Sequence, residues 1–313
     1  MLSSTKPSLL KFTSYVFIVV LFSIGCRTVV NMINTADELK KQIDFANKSP
    51  KIYFVGTSRV RRSVNTDQLQ KTFKLKGIYN LGLSKSSFLY NYLLAKRLIK
   101  ISPPQSTIFI ELCSSQPTPP VSYKYFFSET DCINLLKLHL TLSEKIEKID
   151  NIIFHFLSLK ESIKILFESN LTLKPEIGYV NDSSIYKGSN KTVITFQEIA
   201  NVNKELNPVQ HKYLHFIEEL INEGKENNIN IIFFVPTTIK DIKEKTLTFP
   251  IFNKILPENR WFYSPLFLNN MKKRSYLFDE NHLNKYGAKI YTDELIKKIR
   301  TMDKSPYIHS QAL

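Results

Sequence analysis

Short apolar runs alternate with amphipathic segments along most of this chain, and that alternation restricts the fold more than any other feature. Five runs have the length and composition of strands: Lys51–Val55, Gly77–Gly82, Ser106–Cys113, Asn230–Val235 and Arg274–Phe278. Apolar residues recur at helical spacing in three other segments: Phe88–Ile101, Pro208–Asn228 and Tyr286–Ile299. Strands that alternate with helices predict an α/β domain with a parallel sheet and right-handed crossovers.

The ends of the predicted strands carry the residues that could do chemistry. In an open parallel sheet, ligands bind beyond the carboxyl ends of the strands. The first strand runs directly into Gly-Thr-Ser, which places Ser58 at such an end. By itself, Gly-Thr-Ser is equally a plain turn or the N-cap of a helix. Its position at a strand end makes Ser58 a candidate nucleophile.

A candidate base for that serine lies more than two hundred residues downstream, where the fifth predicted strand ends. The segment DENHLN covers residues 279–284 and contains Asp279 and His282, which are three residues apart. On a helical turn this spacing puts both side chains on one face. A carboxylate there can hold one imidazole nitrogen while the other accepts the serine proton. Ser58, His282 and Asp279 therefore form a candidate catalytic triad for acyl transfer.

Acyl transfer also needs hydrogen-bond donors for the oxyanion of the tetrahedral intermediate. The backbone N–H of Ser58 is one candidate. The N–H of Gly82 is a second, because glycine lets the backbone approach a ligand closely. No Walker loop, no G-x-G-x-x-G and no paired-cysteine metal motif occurs, so we expect neither a cofactor nor a metal. His211 and His215 have metal-ligand spacing, but a half-exposed helix face is the simpler interpretation.

Three motifs together resemble a known family. GTSR (56–59), YNLGLS (79–84) and DENHLNKYGA (279–288) are similar to blocks one, two and five of the SGNH hydrolases, also called GDSL esterases. The resemblance implies a flavodoxin-like, three-layer α/β/α fold with the sheet order 2-1-3-4-5. It also implies that Ser58 is the nucleophile, Gly82 an oxyanion donor, His282 the general base and Asp279 the acid that orients it.

The chain departs from the family pattern at two places. Thr57 stands where Gly-Asp-Ser has its aspartate, and the Gly-x-Asn-Asp of block three is replaced by ELCSSQ after the third strand. The asparagine that normally completes the oxyanion hole is therefore absent from its expected place. Ser114, Ser115 and Arg59 are candidate replacements, and Asn80 is a further candidate for substrate contact.

The N-terminus predicts export of the rest of the chain. Lys6 and Lys11 precede an apolar segment, and residues 9–33 are long enough for a transmembrane signal anchor. A cleaved signal peptide and a lipoprotein signal ending at Cys26 are the alternatives. We expect a stalk at 34–50, an SGNH-like domain at 51–300 with a helical insertion at about 117–200, and a tail at 301–313.

The net charge, and the branch of the SGNH family that the chain resembles, both suggest what the protein binds. The formal net charge of +15 suits an anionic polymer, although dispersed lysines are also an ordinary surface feature. No nucleic-acid-binding motif occurs. The resemblance is strongest to the envelope-associated branch, which is DltD-like or polysaccharide O-acyltransferase-like. It implies an acylated glycan or envelope polymer as substrate and a membrane acyl-transfer protein as partner. The rival prediction is a catalytically inert SGNH-fold protein that binds an envelope glycan or partner.

Overall fold

A computed structural model provides the structure of the chain. It describes residues 48–84, 86–113, 178–188, 194–200, 205–238 and 242–302, with isolated positions before residue 48 and at 137–141. The predicted insertion, stalk and tail therefore lie mostly or wholly outside the described residues, and their boundaries stay predictions. Within the described part of the chain, no helix is long and apolar enough to cross a membrane, and nearly all of residues 9–33 lie outside that part.

Five parallel strands form the sheet in the order 2-1-3-4-5, as predicted. They are β1 (Ile52–Gly56), β2 (Ile78–Gly82), β3 (Thr107–Glu111), β4 (Asn230–Phe234) and β5 (Arg260–Trp261). β1 lies between β2 and β3, and every residue of β1 and β3 is buried. Burial on both faces explains why these strands read as continuous apolar runs rather than alternating ones.

Eight α-helices are described around this sheet. They are α1 (Ser58–Ser63), α2 (Thr66–Phe73), α3 (Phe88–Ile101), α4 (Phe196–Ala200), α5 (Pro208–Glu226), α6 (Ile242–Lys254), α7 (Pro265–Met271) and α8 (Lys285–Met302). Helices α3, α5 and α6 pack in one group, and α8 packs on α1 and α2 in another. Side-chain caps begin several of them; Asn207, for example, forms a reciprocal capping box with Gln210 at the start of α5.

The fifth strand is not where the sequence predicted it. Arg274–Tyr276 forms a 3-10 helix, and β5 is the two-residue strand Arg260–Trp261, which pairs with Phe233 and Phe234 of β4. A strand of two residues is too short to produce a periodic pattern. Leu277 instead makes an isolated antiparallel bridge to Leu283. This bridge joins the two ends of the loop that contains Asp279 and His282.

The aromatic core lies under the β4–β5 edge. Trp261 packs edge-on against Phe109, Tyr263 and Tyr291 and is tilted against Phe234, with ring centroids 4.8 to 6.5 Å apart. The hydroxyl of Tyr263 donates to the carbonyl of Val235 at 2.6 Å, which satisfies the polar end of a buried ring. These contacts join α8, and with it the loop that precedes α8, rigidly to the sheet.

Candidate active site

Ser58, His282 and Asp279 lie in a single hydrogen-bonded chain at the carboxyl end of the sheet. His282 Nε2 is 2.7 Å from Ser58 Oγ, and His282 Nδ1 is 2.8 Å from each carboxylate oxygen of Asp279. The structure thus brings together three residues that the sequence placed at two distant strand ends. With the carboxylate accepting from Nδ1–H, Nε2 is left as the acceptor for the serine hydroxyl.

Asp279 is held ionised by its hydrogen bonds. Burial by itself raises the pKa of this carboxyl, but His282 and the backbone N–H of Asn281 outweigh that effect and hold the pKa below its usual value of 3.8. An ionised Asp279 can fix the imidazole tautomer and would stabilise an imidazolium formed by transfer of the serine proton.

Ser58 lies at the first position of α1. Thr57 caps this helix, because its Oγ1 accepts a hydrogen bond from the N–H of Arg59 at 3.2 Å. The N–H of Thr57 donates to a carboxylate oxygen of Glu111 at 2.5 Å. Between these two engaged donors, the N–H of Ser58 has no acceptor among the described residues. It therefore remains available to the carbonyl oxygen that would become the oxyanion if Ser58 Oγ attacked an ester.

Gly82 has a different local role from the predicted one. Its N–H donates to Asn80 Oδ1 at 2.9 Å, which occupies the donor that the sequence assigned to an oxyanion. A Cβ at this position would lie 2.3 Å from the backbone nitrogen of Arg61. Glycine is needed here so that the end of β2 can pack directly against α1.

Asn80 also supports α1 from within the protein. Its Nδ2 donates to the carbonyls of Val60, Arg61 and Val64 at 3.1, 3.3 and 2.8 Å. Its side chain is therefore fully used in holding the helix that begins with Ser58. The remaining candidates, Ser114 and Ser115, lie outside the described residues.

Arg59 is buried and engaged by two carboxylates rather than directed at a substrate. Its guanidinium contacts Glu111 through Nε at 2.8 Å and Glu244 through two nitrogens at 2.9 and 2.6 Å. Only 7% of the residue is exposed. Sequence reasoning did not assign Glu111, although a charged residue in an otherwise apolar strand was a usable signal. Glu244 lies in α6, where no motif marks it.

Asn284 organises the loop that carries Asp279 and His282. Its Oδ1 accepts from the N–H groups of Tyr286 and Gly287 at 3.0 and 3.1 Å, which caps α8. Its Nδ2 donates to the carbonyls of Ser184, Ser275 and Leu277 at 3.0, 2.8 and 3.2 Å. One fully buried asparagine thus ties the two ends of the loop to each other.

A segment that precedes α4 in the chain lies across the same loop. Residues 178–188 contribute three hydrogen bonds: Lys285 N to Asp182 O (2.7 Å), Tyr186 N to Leu277 O (2.9 Å) and Asn284 Nδ2 to Ser184 O (3.0 Å). Arg62 of α1 lies 3.7 Å from the ring centre of Phe278 and 3.6 Å from a carboxylate oxygen of Asp182. The segment therefore contacts both the serine helix and the histidine loop.

Among the described residues, neither a metal site nor a cysteine pair accompanies these side chains. In the described ranges, no group of three or more His, Cys, Asp or Glu side chains is arranged to hold a metal ion. His211 and His215 are both exposed on α5. Cys113 is a buried free thiol two residues beyond the end of β3, and burial raises its pKa well above the usual value of 9.0. A group with that pKa is an inert core thiol rather than a nucleophile.

Comparisons with known proteins find no counterpart. No family model, no curated protein and no solved structure matches the chain. Any functional conclusion therefore rests on the residues and their geometry.

Proposed function

We propose that the chain is an SGNH-type serine esterase or O-acyltransferase. The observation that carries this proposal is the continuous hydrogen-bonded chain from Ser58 Oγ through His282 to Asp279. Binding alone does not require a serine that is hydrogen-bonded to a histidine base, whereas catalysis does, because serine is a weak nucleophile without such a base. The sheet order 2-1-3-4-5 and the two groups of helices also support a flavodoxin-like, three-layer arrangement for the domain.

The proposed reaction follows from the positions of these groups. Ser58 Oγ attacks an ester carbonyl while His282 Nε2 takes the hydroxyl proton, and the oxyanion accepts a hydrogen bond from the N–H of Ser58. When the intermediate collapses, the C–O bond to the alcohol breaks and His282 returns the proton to the leaving oxygen. Water or a sugar hydroxyl then attacks the acyl-serine with His282 again as the base.

We propose that this chemistry takes place outside the cytoplasm on an acylated cell-envelope polysaccharide or a teichoic-acid-like polymer. The net charge of +15 favours an anionic polymer. Residues 9–33 would anchor the chain in the membrane, next to a membrane-bound acyl-transfer partner protein. Ser14, Ile18, Leu21, Phe22 and Gly25 are helical, and the three large apolar side chains among them are more than half exposed, as an anchor requires.

One observation favours the inert alternative, which is an SGNH-like protein that binds an envelope glycan or partner. The N–H of Gly82 is occupied by Asn80, so Ser58 supplies the one oxyanion donor identified among the described residues. Loss of one such donor lowers kcat by about 10²–10³-fold in serine hydrolases. A slow enzyme and an inert binding protein therefore have to be separated by experiment.

The test is covalent labelling of the detergent-solubilised full chain with a fluorophosphonate. The proposal predicts one labelled site, Ser58, identified by mass spectrometry, and loss of labelling in Ser58→Ala and in His282→Ala. His211→Ala, which removes an exposed histidine on α5, is the matched control and should label at the wild-type rate. Absence of labelling in folded wild-type protein would instead support the binding alternative.

A further inference from the structure

A cluster of buried charges lies beneath the nucleophile. Glu111 ends β3 and is completely buried, and Arg59 connects it to Glu244 of α6. A guanidinium nitrogen of Arg59 also donates to the carbonyl of Thr238 at 3.1 Å. The cluster contains two carboxylates and one guanidinium, and all three residues are at most 7% exposed.

Such a cluster is a poor source of stability. Removing charges from water costs several kcal/mol per ion, and apolar replacements of buried ion pairs are often neutral or stabilising. Burial raises the pKa of Glu111, while Arg59 and the N–H of Thr57 oppose that effect. Charges held at this cost are best explained by the geometry that they impose on their neighbours.

That geometry is imposed on the turn that carries Ser58. One carboxylate oxygen of Glu111 accepts from the N–H of Thr57 at 2.5 Å, and the other accepts from the Thr57 hydroxyl at 3.1 Å. Arg59 Nε lies 3.3 Å from the same hydroxyl and 2.8 Å from Glu111. The residues on both sides of Ser58 are thus bound to one carboxylate.

The absence of a side chain at Gly56 leaves room for the contact between Glu111 and Thr57. A Cβ on Gly56 would lie 2.5 Å from a carboxylate oxygen of Glu111 and 2.3 Å from a methyl group of Val60. A side chain there would therefore displace the carboxylate from the turn. The glycine of GTSR and the glutamate at the end of β3 depend on each other.

We propose that Glu111 is a positioning residue for the Ser58 nucleophile, acting through Thr57 and held in place by Arg59 and Glu244. The inference rests on the proposed function, because it requires Ser58 to react. Glu111 fixes the peptide group before Ser58, and thereby the direction of the Ser58 N–H and of its Oγ. Displacing reacting groups by about 1 Å can lower a rate by about 10²-fold.

The variant that tests this directly is Glu111→Gln in the full chain. Glutamine keeps the shape and one acceptor oxygen, but its amide NH₂ faces either the Thr57 N–H or Arg59 Nε, and one of those donors loses its acceptor. Fluorophosphonate inactivation is measured against probe concentration to separate the maximal rate, kinact, from the half-saturating concentration, KI. We expect kinact to fall about 10²-fold with KI unchanged.

Three further variants keep the inference testable if Glu111→Gln does not fold. Thr57→Val removes the hydroxyl that joins Glu111 to Arg59 but keeps the shape, and it should lower kinact; Thr57→Ser keeps the hydroxyl and should recover most of that rate. Glu219→Gln removes a partly exposed carboxylate that is also ion-paired, to Lys96 at 2.5 Å, and lies far from Ser58 in the chain; it should label like wild type. Urea unfolding of each variant reports its stability independently.

The outcomes separate this inference from the proposed function. If wild type does not label, the proposed function fails and the positioning role fails with it. Suppose instead that wild type labels at Ser58 and that folded Glu111→Gln has a kinact within about threefold of wild type. Only the positioning role is then overturned. If Glu111→Gln does not fold, the same criterion applies to Thr57→Val. A loss of kinact in Thr57→Val that Thr57→Ser does not recover would likewise contradict the role assigned to the hydroxyl.

Discussion

Replacement of Asn284 should destabilise the protein far more than replacement of another helix cap. Asn284 Oδ1 accepts from two N–H groups at the start of α8, and the two protons of Nδ2 are shared among three carbonyl oxygens. Loss of an N-cap costs about 1 kcal/mol. Each of the two Nδ2 protons adds about 1 kcal/mol, because Asn284 is fully buried and the carbonyl groups that it bonds would lose this donor. Asn284→Ala should therefore lower the free energy of unfolding by about 3 kcal/mol.

Urea unfolding followed by tryptophan fluorescence measures this effect. Trp261 is the only tryptophan in the chain, and it is 6% exposed within the aromatic core that contacts α8. Asn207→Ala is the matched control, since Asn207 caps α5 through the same kind of hydrogen bond and should cost about 1 kcal/mol. Asn284→Asp keeps a cap oxygen but turns a carboxylate toward carbonyl oxygens, so we expect a loss at least as large as in the alanine variant at neutral pH.

The reasoning would be refuted by an Asn284→Ala variant that loses no more stability than Asn207→Ala. That result would mean that water or neighbouring backbone groups replace the bonds of Nδ2 at little cost. A large loss in Asn284→Ala accompanied by an unchanged fluorophosphonate rate would show that the loop keeps its catalytic geometry without the asparagine.

The remaining predictions concern the triad and the β2–α1 contact. Burial raises the pKa of Asp279, but the hydrogen bond from His282 holds it below 3.8, so its stabilising contribution is present above that pH and is lost as the pH falls below it. The thermal midpoint of wild type should therefore exceed that of Asp279→Asn by less at pH 3 than at pH 6, a range of about three pH units that brackets an ordinary aspartate pKa. A difference in midpoint that does not change with pH would contradict the stabilising role of the Asp279 carboxylate. Gly82→Ala should lower both the urea midpoint and the labelling rate, because the new Cβ would lie 2.3 Å from Arg61 N, whereas in Gly77→Ala the nearest atom is 3.3 Å away and both quantities should stay near wild type.

Parts of the fold and site that depend on local patterns could be predicted from the sequence. The alternation of apolar runs and helices predicted the parallel sheet, and the resemblance predicted its order, which the structure confirms. Ser58 was found because it follows the apolar run of β1, and residues at the carboxyl ends of parallel strands meet at one edge of the sheet. Asp279 and His282 were found from their spacing and from the run at 274–278, which is not a strand in the structure. Their selection needed no knowledge of the contacts between them.

Features that depend on contacts between distant segments were decided only by the tertiary structure. The two-residue strand β5 exists because Arg260 and Trp261 lie beside β4, and a segment this short has no period of its own. Arg59 appeared available to a substrate until Glu111 and Glu244 were brought beside it from 52 and 185 residues away. The N–H of Gly82 was likewise assigned to an oxyanion because the sequence does not show which acceptor folding places next to a donor. Hydrogen-bond partners and buried charges depend on distances in space, so this part of the site could not be predicted from the order of residues.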